Sequence, residues 1–270
     1  MLTLRWLWLI TLLSGLSVTA YAAPDLNALI TGPHRSDANI KRNQYRHPVQ
    51  TLQFFGLKPD QAVLEVWPGA GWYTEILAPY LKDSGTYYAA HFSRHQSLPF
   101  FQQMREDFLA KLQSRPDLYG NVKLTSLYPP AGEPLPAPSN SLDLVLTFRN
   151  VHNWAKGGFD QAMFNDFFTM LKPGGYLGVV EHRAKPGTSF KQMINTGYMT
   201  TAYVIHLAQK AGFKLAATSE INANTKDNTD HPDGVWSLPP TLRGAASDEP
   251  KMLAIGESDR MTLKFVKPGK

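Results

Sequence analysis

The amino-acid sequence predicts an α/β fold in which a mostly parallel sheet is covered by helices on both faces. Strand-like and helix-like segments alternate along the body of the chain, as they do in such folds. Residues 142–148 (Leu-Asp-Leu-Val-Leu-Thr-Phe) are almost all apolar, which is typical of a strand buried on both sides. Residues 62–66 form a shorter apolar run that leads into a glycine turn at 67–71 and then into a helical pattern.

Each element is predicted from its periodicity and from the residues that end it. Apolar side chains at helical spacing predict helices over 72–81 and 159–171, and the Lys-Pro-Gly-Gly segment at 172–175 ends the second of these. Period-two alternation over 261–265 predicts a last, antiparallel strand with one wetter face. Further helices are expected at 51–55, 100–112 and 197–211. Strands are expected at 61–67, 86–92, 122–127, 142–148, 176–181, 214–221 and 261–265.

The first 22 residues have the pattern of a secretory signal. Arg5 supplies the positive start, residues 6–18 the apolar core, and residues 20–22 (Ala-Tyr-Ala) a small-x-small cleavage site. The apolar core is shorter than the roughly 20 residues that span a bilayer. We therefore expect cleavage after Ala22 and a periplasmic or secreted protein with no stable membrane span; an uncleaved anchor is the alternative.

The bulk composition excludes several classes of protein. The sequence contains no cysteine, which excludes disulfides, thiolate metal sites and a cysteine nucleophile. The net charge is only +5 and no long run of like charges occurs, so no nucleic-acid partner is expected. The expected organisation is an N-terminal arm at 23–50 and one domain at 51–270, in which residues 222–259 form a lid-like insertion before the last strand.

The glycine turn carries the strongest functional signal. A strand that ends in Glu65 and feeds a glycine turn at a helix start leaves backbone N–H groups bare beside a small ligand. Residues 65–71 (Glu-Val-Trp-Pro-Gly-Ala-Gly) resemble the first motif of class I S-adenosylmethionine-dependent methyltransferases, which reads acidic-x-Gly-x-Gly-x-Gly. The Leu-Lys-Pro-Gly-Gly segment at 171–175 resembles the same family. Residues 148–154 and 256–261 look more specifically like a group of exported, predicted methyltransferases of bacteria.

This resemblance implies a fold, a cofactor and a set of cofactor-binding residues. The implied fold is the Rossmann-like class I methyltransferase fold, with seven strands in the order 3-2-1-4-5-7-6 and the last strand antiparallel. The implied cofactor is S-adenosyl-L-methionine, and the implied partner is a small-molecule substrate. The expected cofactor-binding residues are Glu65, Trp67, Pro68, Gly69, Ala70, Gly71, Tyr73, His91, Arg149 and Asn150.

Polar side chains follow several predicted strands, where ligands of open α/β sheets bind. His152 and His182 are the candidate general bases, because histidine exchanges a proton near neutral pH. Glu181 could orient or charge one of these histidines. We expect Asn150 to border the acceptor with them, and Trp72, Tyr73 and Trp154 to wall the pocket.

Other polar residues have a competing explanation. His91 and His95 have the spacing of a metal-binding pair, but they lie on a strand end and a loop, so no metal is expected. The polar residues of the lid-like insertion could hold a cation, but a solvated turn is the favoured interpretation; they are Asp227, Asp230, His231 and Asp233. The basic residues of the arm face either an anionic substrate or, as we expect, water; they are Arg35, Arg42, Arg46 and His47.

Three functional hypotheses follow. The first is an exported methyltransferase that uses S-adenosylmethionine and acts on a small molecule. The second is a binding protein or altered descendant that uses the same cleft for another metabolite; it is favoured by Trp67 in place of a glycine and by His91 in place of an acidic residue. The third is an envelope-interaction protein with a vestigial cleft.

Overall fold

A computed structural model describes residues 24–96, 98–244 and 248–269 of the chain. The expected signal segment and its cleavage site lie outside these residues. Within the described part there are seven strands: β1 (Ala62–Val66), β2 (Thr86–His91), β3 (Lys123–Ser126), β4 (Leu142–Phe148), β5 (Leu171–His182), β6 (Lys214–Ser219) and β7 (Arg260–Val266).

Twelve α-helices occur in the same described ranges, and none of them is long and apolar enough to cross a membrane. The helices are α1 (Leu26–Ile30), α2 (Asp37–Lys41), α3 (Asn43–Arg46), α4 (Pro48–Phe55), α5 (Thr74–Leu81), α6 (Pro99–Ser114), α7 (Pro116–Tyr119), α8 (Val151–Gly157), α9 (Asp160–Met170), α10 (Phe190–Thr196), α11 (Thr201–Lys210) and α12 (Glu249–Ile255).

The seven strands form one sheet in the order β3-β2-β1-β4-β5-β7-β6. β7 runs antiparallel to β5 and to β6, and the remaining neighbours are parallel. The fold class expected from the sequence is therefore confirmed. Because the strand order reverses between β1 and β4, the turn after β1 and the residues after β4 meet at the same edge of the sheet, where ligands bind in such folds.

Two apolar cores cover the two faces of the sheet. Side chains alternate along β1, so Leu64 and Val63 point into different cores. The first core includes Trp154 of α8 and the aromatic residues of α9, and the second includes Phe55 of α4 and the apolar side chains of α5. Gly178 of β5 lets α4 pack directly on the sheet, because a Cβ there would lie 2.7 Å from the Phe55 ring.

Several elements differ locally from the sequence prediction. The helix expected at 197–211 is α11, which begins only at Thr201, where the Thr200 side chain caps it. The preceding helix α10 was not expected from the sequence, and it ends at Gly197, which adopts a φ of 77°. β5 begins at Leu171 instead of residue 176, since Leu171 already pairs with Leu142 of β4. The N-terminal arm contains α1, α2 and α3, and the side chains of Asp25 and Ser36 cap the first two of these short helices.

Candidate active site

A cavity of about 400 Å³ lies beyond the carboxyl ends of β1 and β4. We call it the first cavity. The glycine turn forms one side, and Asn39, Arg42 and Arg46 of the N-terminal arm form part of the other. An apolar region at the start of α6 closes one end; it consists of Phe92, Phe100, Phe101 and Met104. The first cavity is therefore apolar and aromatic at one end and basic at the other.

The glycines of the turn shape this cavity in different ways. Gly69 and Gly71 have φ values of 58° and 81°, which favour glycine. A Cβ on Gly71 would lie 3.0 Å from the Phe108 ring, so this glycine permits close packing with α6. A Cβ on Gly69 would meet only the Met104 Sδ, at 3.9 Å. Among the described residues, the N–H groups of Gly69 and Ala70 donate to no acceptor, so bare donors are present as expected.

Trp67 occupies the position of the first glycine of the motif and has a φ of 50°. Such a backbone costs a non-glycine residue about 1–3 kcal/mol. The indole is 6% exposed and lies in the first core, with its ring edge-on to Phe92 and to Trp154. Its Nε1–H donates to the Leu127 carbonyl over 3.0 Å. Trp67 and Trp154 therefore pack behind the turn, and the Trp67 indole walls the first cavity without filling it.

Glu65 is buried but lines the first cavity. Its Oε2 accepts hydrogen bonds from the Tyr87 hydroxyl and from Thr74 Oγ1, the latter over 3.1 Å. Within the described ranges, Oε1 accepts none. Burial raises the pKa of Glu65 to about 7, although the two hydroxyl donors oppose this shift. A ligand hydroxyl or ammonium group could therefore bind Oε1, as the sequence predicts.

Aromatic stacking fixes the floor of the first cavity. Tyr73 stacks on Phe148, with ring centroids 3.6 Å apart and planes 11° from parallel. Burial raises the pKa of Tyr73 to about 12, so its phenol stays protonated near neutral pH. Trp72 lies between Arg35 and Arg46, each with its guanidinium carbon 4.6 Å from the indole centroid. Pro68 also lines the cavity, so each predicted residue of the turn except Gly71 reaches it.

His91 does not line the first cavity. Its Nδ1 accepts the Phe92 N–H over 2.8 Å, so Nε2 carries the proton and donates to the Gly69 carbonyl over 3.0 Å. Burial lowers the pKa of His91 to about 4, which keeps the ring neutral. Since both ring nitrogens bond to the protein, His91 braces the glycine turn from behind and does not face the cavity, which corrects the expectation that it binds the cofactor. His95 forms no pair with it, because its side chain lies beside Glu133 at 3.8 Å.

Arg149 and Asn150 follow β4 and line the first cavity. Asn150 Nδ2 donates to the Val66 carbonyl over 2.9 Å and to Thr147 Oγ1 over 3.2 Å, which ties the ends of β1 and β4 together. Arg149 has a φ of 62°, and its N–H donates to the Val180 carbonyl. The sequence correctly predicts that both residues reach the cleft.

A second cavity, of about 220 Å³, contains the candidate bases. His152 Nδ1 donates to Glu181 Oε1 over 3.0 Å, because the carboxylate can only accept. The same carboxylate accepts the backbone N–H groups of Val151 and His182, over 2.6 and 2.9 Å. Neutral His152 therefore presents an unprotonated Nε2, which makes no hydrogen bond to any described residue.

His182 lies beside His152, with ring centroids 5.4 Å apart, and has a different environment. Its Nδ1 shares a hydrogen bond with Ser258 Oγ over 2.5 Å. Burial lowers its pKa well below the usual value, and a proton on His152 and the Arg260 guanidinium each act in the same direction. His182 is therefore held neutral, whereas Glu181 can stabilise a proton on His152.

The two histidines and Glu181 are close enough to hold a metal ion, with ligand atoms within 4.8 Å of one another. The chemistry of the cluster argues against one. Three N–H donors already use three of the four lone-pair sites of the Glu181 carboxylate. The guanidinium groups of Arg260 and Arg149 also act on His182 and repel a cation. The absence of a metal stays a prediction.

The arginines of the N-terminal arm are paired and largely buried, which corrects the expectation of a solvated arm. Arg35 Nε donates to Glu75 Oε2 over 3.1 Å. Arg42 Nε and Arg46 Nε donate to the two oxygens of Glu257, over 2.6 and 3.1 Å. Periodicity could not reveal these partners, because Glu257 lies more than 200 residues away in the sequence. His47 ends α3 in a left-handed conformation.

The lid-like insertion packs onto the strand ends in its described part. Trp236 lines both cavities, and its ring lies 5.8 Å from that of His152. Asp227 accepts from His231 Nε2 over 2.8 Å, so this pair is a buried contact and not a solvated turn. Asp230 is exposed. That the insertion acts as a lid stays a prediction.

Sequence reasoning missed a group of site residues just before β7. Glu257, Ser258 and Arg260 are buried and contact the arm or the candidate bases. One signal was available: the polar residues Glu-Ser-Asp-Arg at 257–260 directly precede an apolar strand. In a strand that runs antiparallel to β5, such residues reach the same edge as His182.

Comparison with known proteins supports the fold. No protein-family model and no curated protein gives a significant match to the sequence. Among solved structures, an S-adenosylmethionine-dependent methyltransferase from Aquifex aeolicus is 19% identical over 67% of this chain and 87% of its own, with a TM-score of 0.53. Geranyl diphosphate methyltransferase in complex with S-adenosylmethionine is 10% identical over 89% and 94%, with a TM-score of 0.55.

The [4+2]-cyclase SpnF is a third similar structure. It is 17% identical over 83% of this chain and 81% of its own, with a TM-score of 0.58. The chain thus has the Rossmann-like fold of the class I S-adenosylmethionine-dependent methyltransferases. Since a protein named as a cyclase has this fold too, the reaction follows from the site and not from the fold.

Proposed function

We propose that the protein is an S-adenosylmethionine-dependent methyltransferase that acts on a small molecule. One observation carries this proposal: the glycine turn borders an open cavity of about 400 Å³ and presents bare N–H groups. Ligand pockets usually have volumes of roughly 300–1,000 Å³. A nucleoside-sized ligand therefore has room between the turn and the N-terminal arm.

The residues around the first cavity fit the chemical parts of the cofactor. The aromatic end suits a purine base, which stacks on rings and contacts methionine sulfur; it is formed by Trp67, Phe92, Phe101 and Met104. The N–H groups of Gly69 and Ala70 can donate to ligand oxygens, and Glu65 Oε1 can accept from a hydroxyl or ammonium group. When bound, S-adenosylmethionine supplies an electrophilic methyl group.

The second cavity supplies a base for the acceptor. His152 can take a proton at Nε2, and Glu181 then stabilises the resulting imidazolium through Nδ1–H. His182 stays neutral and can hydrogen-bond the acceptor through Nε2. Trp236 covers both cavities and can exclude water there. The three candidate catalytic residues thus have distinct roles in the proposal: proton acceptor, orienting carboxylate and neutral hydrogen-bonding group.

Calorimetric titration of residues 23–270 with S-adenosylmethionine and S-adenosylhomocysteine tests the cofactor assignment. We expect saturable binding of both at pH 8, where Glu65 is mostly ionised. Glu65→Gln should weaken binding by about tenfold or more, since a hydrogen bond to a charged group is worth about 1.5–3 kcal/mol. Glu249→Gln, on the exposed start of α12, removes a similar charge and should bind as the wild type does.

Two results would contradict the proposal. One is the absence of heat with either nucleoside from a protein whose unfolding remains cooperative. The other is equal affinity for the wild type and for Glu65→Gln. We also propose that the protein acts outside the cytosol, because its first 22 residues have a signal pattern. A reporter enzyme fused after residue 30 tests this, and a reporter active only in the cytosol would contradict it.

A further inference from the structure

Arginine side chains are concentrated around one carboxylate at the basic end of the first cavity. Glu257 accepts from Arg42 Nε over 2.6 Å, from Arg46 Nε over 3.1 Å and from Arg260 Nη2. Arg149 Nη1 lies 3.9 Å from the same carboxylate. We call the four arginines the arginine cluster.

Positive charge exceeds negative charge in this cluster. Four guanidinium groups face one carboxylate. Burial alone would raise the pKa of Glu257, but these guanidiniums hold it far below its usual range, so the carboxylate remains ionised. The neighbouring acids do not supply the missing charge. In the described chain no hydrogen bond or ion pair joins Glu181 to these arginines, because its partners are three other N–H groups, and burial raises the pKa of Glu65 to about 7.

Two buried atoms of the arginine cluster have no hydrogen-bond partner in the described chain: Arg42 Nη2 and Arg260 Nε. The Arg149 guanidinium likewise donates no hydrogen bond to any residue that the structure describes. Its side chain keeps 27% of its surface exposed and borders both cavities. A guanidinium group can donate two parallel hydrogen bonds to a carboxylate or phosphate group. These donors therefore suit an external anionic group.

The backbone of Arg149 is strained at this position. Its φ of 62° is uncommon for a residue other than glycine, asparagine or aspartate. This conformation directs the chain from β4 into α8 and leaves the guanidinium at the junction of the two cavities. Strain of this kind often accompanies function.

We propose that the arginine cluster is an anion-binding subsite that holds a carboxylate or phosphate group of the methyl acceptor. This assignment rests on the proposed function. Arg42 and Arg46 border the first cavity only, whereas Arg149 borders both, so the cluster lies at the junction of the two cavities. Two observations place the anion toward the acceptor side of this junction. Arg149 and Arg260 both border the second cavity, together with His152 and His182. The glycine turn, which contacts the cofactor in the proposal, borders the first cavity only. The substrate class is thus a small acid whose reacting group reaches His152.

Thermal-shift and calorimetric binding of three ring compounds test the subsite. The probes are 4-hydroxybenzoate, phenyl phosphate and the neutral 4-hydroxybenzamide. We expect the wild type to bind at least one of the two anions and to bind the amide at least about tenfold more weakly. Arg149→Asn should lose about tenfold in anion affinity while it folds at least as well, because asparagine tolerates a positive φ.

Control variants separate the subsite from general charge effects. Arg115→Gln removes one positive charge from the exposed surface and should bind the anions as the wild type does. The Arg42 side chain is 23% exposed. Arg42→Gln should lower the affinity for the anions, as Arg149→Asn does. Equal binding of anions and amide, no binding of any probe, or unchanged anion affinity in Arg149→Asn would overturn the proposal.

Titration of Arg149→Asn with S-adenosylhomocysteine distinguishes the acceptor from the cofactor as the source of the anion. We expect less than about a threefold change in its affinity. A loss of S-adenosylhomocysteine affinity with unchanged anion affinity would assign the arginines to the cofactor carboxylate and overturn the proposal. Arg149-dependent anion binding in a wild type that binds no S-adenosylhomocysteine would support the subsite and refute only the proposed function.

Discussion

Two buried carboxylate–histidine pairs lie in different parts of the molecule and differ in their surroundings. Glu181 and His152 lie at the ends of β5 and β4, with Oε1 and Nδ1 3.0 Å apart. Asp227 and His231 lie in the lid-like insertion, with Oδ1 and Nε2 2.8 Å apart. The first pair borders the second cavity, and the other pair is absent from the linings of both cavities.

The difference shows that the pair itself does not make a site. Asp227 also accepts from the Tyr198 hydroxyl and from the N–H groups of Thr229 and Asp259. Through these hydrogen bonds Asp227 connects the segment that follows α10, the lid-like insertion and the residue before β7. Glu181 likewise accepts several N–H groups, but its histidine presents a second nitrogen to a cavity. A free ring nitrogen beside space for a ligand distinguishes a candidate base from a structural contact.

The largest effect is expected from replacing the histidines. His152→Gln should reduce turnover of an acidic acceptor by roughly 10²- to 10⁴-fold, because it removes the proton acceptor. S-Adenosylhomocysteine release measures turnover, and calorimetry should show unchanged nucleoside affinity. His231→Gln is the matched control and should keep its turnover per folded molecule. Equal loss of turnover in both variants would show that the two pairs do not differ in role.

A smaller effect, on stability, is expected from Asp227→Asn. This change leaves a buried histidine, a tyrosine hydroxyl and two N–H groups without their carboxylate, and such losses cost about 3 kcal/mol or more. Urea unfolding should show this fall in the free energy of unfolding. Asp230→Asn, three positions along on the exposed surface, should change it by less than about 0.5 kcal/mol. Similar values for the two variants would contradict a structural role for Asp227.

Local patterns in the sequence were sufficient to predict the strands and the main helices. Local geometry depends on neighbouring residues, so β4 occurs where the apolar run at 142–148 predicts it. The turn between β1 and α5 likewise occurs at the glycine turn, residues 67–71. Strand order is a long-range property and came only from the family resemblance. Gly197 shows how such patterns fail: it was expected to begin a helix, yet with its positive φ it ends α10, and α11 begins only at Thr201.

The candidate site was predictable only in part, for a similar reason. Glu65 lies near the end of β1, and Arg149 and His152 come shortly after β4, so topology places them at the expected edge. Arg46 and Glu257 meet across 211 residues, and no local pattern links them. The direction of a side chain is also not a sequence property. His91 has the expected position after β2, yet hydrogen bonds on both ring nitrogens hold it behind the glycine turn.

Glu65 is a third buried carboxylate, and it sharpens the comparison through its pH dependence. Glu181 and Asp227 accept several N–H groups, whereas among the residues that the structure describes only two hydroxyls donate to Glu65. Burial raises its pKa to about 7, so the folded state binds more protons than the unfolded state between the ordinary carboxyl pKa and about 7. Stability conferred by the protonated form is therefore lost as the pH rises through this window.

The expected pH effect is the smallest of the three and is measured as a difference between two proteins. Glu65→Gln places a neutral group of the same shape at this position. The free energy of unfolding of the variant, relative to that of the wild type, should therefore rise from pH 5 to pH 8 in urea unfolding. Other titrating groups, such as His91, act on both proteins and cancel in the difference. A pH-independent difference between the two proteins would contradict the raised pKa of Glu65.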